Sequence, residues 1–173
     1  RSAVESTGNT VGSHTFIAKL IHWGFIGVFA FAVSKQVDEV EELENIALLQ
    51  EEVVVAFVFL ILLFARFFYM QSTKPTVVTI ATGKRVYWLA RGVHLGMYVS
   101  LAMIAITGLA IGALYWSGIK QGEVMEGVLL SHEIIFWISM NLIGVHIIGA
   151  LYHRFKRDGI WNSMVPVWTE KLE

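Results

Sequence analysis

Four apolar stretches, each long enough to cross a lipid bilayer, constrain this chain more than any other feature. They run from Phe16 to Ser34, Leu48 to Met70, Tyr87 to Trp116 and Val128 to His153, each rich in Leu, Ile, Val, Phe and Ala. A helix rises about 1.5 Å per residue and a bilayer core is about 30 Å thick, so about 20 apolar residues make a span. Irregular backbone in lipid leaves N–H and C=O groups unsatisfied, so the expected fold is all-α: an integral membrane four-helix bundle, up-down-up-down. The alternative of a soluble core fails on composition. Only 16% of the 173 residues are charged, against about a quarter in soluble domains, which leaves too little polar surface to face water.

The ends and connections carry the remaining polarity. Arg1 to Ser13 is polar and lacks the basic start, apolar stretch and small-residue cleavage site of a signal peptide. Residues 1–15 are therefore expected to be an N-terminal tail, 16–157 the four-helix transmembrane domain, and 158–173 a C-terminal cytoplasmic tail. The first connection is acidic, with Asp38, Glu39, Glu41, Glu42 and Glu44, and the third carries Lys120, Glu123 and Glu126. Lys19, Arg66, Lys74, Lys84, Arg85, Arg91, Arg154, Lys156 and Arg157 collect on the opposite side. The positive-inside rule then puts both termini and the middle connection in the cytoplasm. Net charge near zero gives no case for nucleic acid as a partner.

Histidine within a bilayer is costly and marks function. Of six histidines, His22, His94, His132 and His146 fall within spans, whereas His14 precedes the first and His153 sits beside Arg154 at the end of the last. His132 and His146 are fourteen residues apart on one helix, which brings them within about 40° of the same face and about 21 Å apart along the axis. They cannot bind one metal ion together. Depth selects partners: His22 lies a little over one turn into the first span, and His146 about two turns from the end of the fourth, so the two share a level.

There are no cysteines, which excludes disulfides, iron–sulfur clusters and covalently attached haem. A haem b held between the neutral imidazoles of His22 and His146 would bury its macrocycle among Phe, Leu and Ile, with its propionates near a polar boundary. Closing both axial positions suits electron transfer and not oxygen binding. The plainer alternative is hydrogen bonding of these histidines across helices.

Several segments carry a family resemblance. Ile21-His22-Trp23, Arg91-Gly92-Val93-His94-Leu95-Gly96, Thr107-Gly108-Leu109, Ser131-His132-Glu133, and Gly144-Val145-His146 followed by Tyr152-His153-Arg154-Phe155-Lys156-Arg157-Asp158-Gly159 resemble the bacterial cytochrome b561 family. Its relatives include the cytochrome b subunits of formate dehydrogenases and nickel–iron hydrogenases. The resemblance implies a diheme cytochrome b domain in the inner (plasma) membrane that exchanges electrons with quinones. It implies an inner haem between His22 and His146, and an outer haem between His132 and a histidine on the second span.

The second span has no histidine. Aligning its Leu62-Leu63-Phe64-Ala65-Arg66 end with the family puts the ligand position on Glu52, beside Gln50 and Glu51. Three readings follow: the second haem is absent and Glu52 pairs with His132; haem persists with an unusual or single ligand; or the pair handles protons for a quinol. Glu51 and Glu52 also read simply as the polar edge of the span. His94, level with His22 and His146, reads as a propionate partner or an alternative ligand. Gly92, Gly96, Gly108 and Gly112 read as close helix packing or as close approach of a macrocycle.

Function follows as an expectation. The first reading is a membrane electron-transfer cytochrome binding haem b, exchanging electrons with a quinone pool and a donor or acceptor at one membrane face, superoxide being one reactant the resemblance implies. Its alternative is an anchor and electron-conduit subunit of a larger membrane oxidoreductase complex, since the short connections hold no catalytic domain. A haem-free helical scaffold is the third, and it would be colourless.

Overall fold

The computed structural model describes residues 16–34, 45–72 and 78–169. The acidic segment 36–44, Lys74 and His14 lie outside the described residues. Five helices are described: α1 (Phe16–Ser34), α2 (Ile46–Ser72), α3 (Val78–Trp116), α4 (Glu123–Lys156) and the short α5 (Ile160–Met164). The first four are long and apolar enough to cross a membrane.

The α1 boundaries coincide with the first apolar stretch, but α2, α3 and α4 run past theirs. Apolar composition marks the part of a helix that lipid selects, whereas the helix itself continues until a stop signal. Asn45 supplies one such signal, its Oδ1 accepting the Ala47 N–H at 3.1 Å as an N-cap of α2. At the end of α3 the Ile119 N–H donates to the Leu114 carbonyl and that of Gly118 to Tyr115, with Gly118 at φ 87°. That is a Schellman stop, and its positive φ favours glycine. Glu123 and Glu126 lie in the first turn of α4, where negative charge suits the helix dipole. Near the start of α3 the helical course breaks at Gly83.

Contacts run from α1 to α2, α2 to α3 and most extensively α3 to α4; among the described residues, α1 and α4 are not closely packed backbone to backbone. A seam therefore runs between the first and last long helices. The interior has two apolar clusters. Phe25, Phe59, Leu63, Leu101 and Ala105 form one, and Leu49, Ile111, Tyr115 and Met125 form the other. Buried polar groups also point inward, among them Arg66, Ser100, Thr107 and Ser139. Large apolar side chains such as Leu20, Ile61, Phe64, Leu89, Trp137 and Ile148 point out. This is the distribution that lipid, not water, requires.

The starts of α1 and α3 and the ends of α2 and α4 share one end of the bundle, here called the basic end after Lys19, Lys84, Arg85, Arg154, Lys156 and Arg157. There residues 158–169 of the expected tail fold back. Asp158 Oδ2 lies 2.7 Å from His153 Nδ1 and 3.5 Å from Lys156 Nζ. Beyond this turn, Lys19 Nζ donates to the Asn162 carbonyl at 2.9 Å. Trp23 Nε1 donates to the Met164 carbonyl at 3.1 Å. Arg154 stacks on Trp168, 4.4 Å from the ring centre. The returning segment thus ties α4 to α1 across the seam.

Candidate functional site

Three helices bring a histidine to one point near the basic end. His22 of α1 and His146 of α4 face each other across the seam with ring centres 6.4 Å apart and planes at 71°. His94 of α3 lies closer to His146, with ring centres 4.9 Å apart and planes also at 71°. The level match read from span depth is therefore a spatial one, and it takes in all three.

Hydrogen bonding fixes the proton on one of these rings. His94 Nδ1 lies 2.7 Å from the Ala90 carbonyl, one turn earlier on its own helix. A carbonyl oxygen only accepts, so Nδ1 holds the hydrogen and Nε2 keeps its lone pair.

Separation distinguishes the pairs. Two imidazoles that bind one metal ion from opposite sides, each nitrogen about 2 Å from it, have ring centres roughly 6 Å apart. The His22 and His146 rings meet that spacing. The His94 and His146 rings, at 4.9 Å, are closer than binding of one metal ion from opposite sides allows.

The fourth histidine stands apart toward the other end. His132 Nδ1 is 2.8 Å from Thr107 Oγ1. That hydroxyl lies 2.7 Å from the Met103 carbonyl and 3.0 Å from that of Ile104, to which its single hydrogen goes. The imidazole is then the donor to Thr107, which leaves His132 Nε2 with a free lone pair. Gly108 lies beside this ring, where a Cβ would stand 3.5 Å from His132 Cε1, an ordinary contact. On α2, Glu52 is half-buried between Leu49 and Val53, the two residues that pack against Gly112. Gly112 is one turn beyond Gly108, so Glu52 lies about a turn nearer the acidic end than His132.

The glycines of α3 divide in the same way. A Cβ at Gly96 would stand 3.2 Å from Leu142 and one at Gly112 3.3 Å from Val53, whereas a Cβ at Gly92 would meet nothing within 4 Å. Close helix packing accounts for Gly96 and Gly112.

Residues 13–167 match the family described as prokaryotic cytochrome b561. The chain belongs to that family. The match takes in all four long helices, and no curated protein and no solved structure matches the chain. Prokaryotic cytochromes b561 are membrane electron-transfer proteins of b type, so membership implies binding of b-type haem. The residues present fit such a group. This cytochrome b561 has two imidazoles at the separation that holding one iron from opposite sides calls for, a buried apolar cluster at Phe25, one turn from His22, and no cysteine that covalent attachment would need.

Two residues of the site were not singled out by type or spacing. Thr107 entered only as part of a family segment, and Arg66 only as one of the basic residues. A signal for Arg66 was present: it interrupts the apolar run Leu62-Leu63-Phe64-Ala65 and Phe67-Phe68, and an ionisable group within a span marks function.

Proposed function

We propose that this chain is a membrane electron carrier that holds haem b between His22 and His146. In this role it exchanges electrons with a quinone pool and with a donor or acceptor at one membrane face. The observation that carries the reading is the 6.4 Å separation of the two imidazoles across the α1–α4 seam. When bound, the haem supplies a one-electron couple. The chain's residues supply the rest: His22 and His146 would hold the iron, one imidazole nitrogen each, and would leave it no site for oxygen. Phe25, Phe59 and Leu63 lie in the buried cluster beside the site and keep water from it. Arg154 and the returning segment cover its basic end.

In this reading the basic end faces the cytoplasm and the acidic end faces outward, in the inner membrane. The wild-type chain holds one haem, because Glu52 stands on α2 where the family has its ligand and a carboxylate is a poor axial partner. His132, with its Nε2 lone pair, and Glu52 then serve protons released by a quinol near the outer surface. Haem per polypeptide, measured with a reduced-minus-oxidised spectrum of the purified protein, tests this. One low-spin b-type haem per chain is expected, and a colourless preparation would overturn the proposal.

A further inference from the structure

Within a turn of the histidine cluster lies a buried charge that the proposed function leaves unused. Arg66 projects from α2 and is 8% exposed, with its guanidinium carbon 5.8 Å from the centre of the Phe25 ring and 5.6 Å from that of Tyr98. Phe25 is three residues beyond His22 on α1, and Tyr98 four beyond His94 on α3. Neighbours at these spacings share a helix face, so the guanidinium sits about 5 Å further from the basic end than the imidazoles. Its charge is close enough to act on both His94 and His146.

A guanidinium is always charged and offers five N–H donors in a plane. Among the described residues, Arg66 Nε is buried without a hydrogen-bond partner, and neither ion pair of the basic end reaches Arg66. The carboxylates of its own helix, Glu51 and Glu52, lie about 21 Å away along the axis. Two aromatic faces compensate a buried cation only weakly compared with the cost of removing it from water. The site calls for an anion that the described side chains do not provide, and for a planar one that a guanidinium can grip through two parallel N–H groups.

We infer that Arg66 binds a carboxylate of the cofactor itself, a propionate of the haem between His22 and His146. The inference rests on that haem reading and adds a direction to it. One propionate turns toward the bilayer interior and is neutralised there, where the sequence alone places both at a polar boundary. A lipid phosphate or fatty-acid carboxylate has related chemistry, so the test must separate these sources.

The test titrates the full-length apoprotein in detergent with haem b and with its dimethyl ester, whose propionates carry no charge, following the Soret band. Wild type should prefer haem b to the ester by about tenfold to a hundredfold, the range of a charge-assisted hydrogen bond. Arg66→Gln should weaken haem b by a like factor and leave the ester unchanged. Equal weakening of both would mean that Arg66 only supports the fold, and would overturn the inference. A wild type that does not discriminate would also overturn it and leave a lipid anion as the partner. If Arg66→Gln does not fold, Arg66→Lys carries the test: discrimination should be reduced, and discrimination equal to wild type would overturn the inference. A wild type that forms no low-spin spectrum with either porphyrin would overturn the haem reading itself.

Discussion

Replacing Thr107 with valine exchanges one hydroxyl for a methyl at nearly constant shape, and so tests how His132 is held. The hydroxyl is the acceptor for the imidazole Nδ1–H at 2.8 Å, and Thr107 is only 9% exposed, so water cannot easily take its place. The Ile104 carbonyl also accepts from this imidazole, so the donor is not left orphaned, and the loss is that of one hydrogen bond between membrane helices, which averages about 0.6 kcal/mol and reaches about 1.7. The hydroxyl's own bonds to Met103 and Ile104 add little, because those carbonyls already serve the helix. The expected cost is therefore about 0.6–1.7 kcal/mol, which lowers a thermal midpoint by about 1–7 °C for a chain of this length. Thermal unfolding in detergent measures it. The decisive comparison repeats Thr107→Val in a His132→Phe background, where the cost should shrink to a few tenths of a kcal/mol. The same loss in both backgrounds would refute the hydrogen-bond argument and assign Thr107 to packing alone.

Three further outcomes are expected. His22→Ala and His146→Ala should each abolish the low-spin b-type spectrum, whereas His14→Ala should preserve it; survival through both of the first two changes would make His94 the ligand to test. Cysteines introduced singly at positions 42 and 157 should react with an impermeant thiol reagent from outside intact cells only at 42, and the opposite pattern would reverse the orientation. Glu52→His, reconstituted with excess haem, should bind a second haem with His132 where wild type binds one. Two haems in wild type, or none gained by the variant, would refute the assignment of position 52.

The four long helices were legible because lipid imposes one pattern on every span, and so were both ends of α1 and the end of α3, but the extensions of α2 and α4 and the start of α3 were not. Asn45 and the polar first turn of α4 set two of those ends through capping and dipole effects that apolar length does not register. Span depth was enough to bring His22 and His146 to one level. It could not show that His94 lies nearer still to His146, because that depends on how each helix is rotated within the bundle. The glycines of α3 illustrate the same limit: only the facing Leu142 and Val53 show that Gly96 and Gly112 serve helix packing. Thr107 was hidden for another reason. A threonine's spacing says nothing of which imidazole its hydroxyl will meet 25 residues later.

The fold-back at the basic end has a consequence for the order of assembly. Lys19 and Trp23 take their partners 143 and 141 residues further along the chain, and these bonds hold together two long helices that are not otherwise closely packed. A polypeptide is made from its N-terminus, so α1 must wait in the membrane, with His22 lacking its opposite number, until α4 and the segment after it have been synthesised. The α2 and α3 helices can dock on it meanwhile. The seam is the last part of the described residues to close, and on the proposed haem site its closure marks the moment at which a newly made chain becomes able to grip the cofactor from both sides.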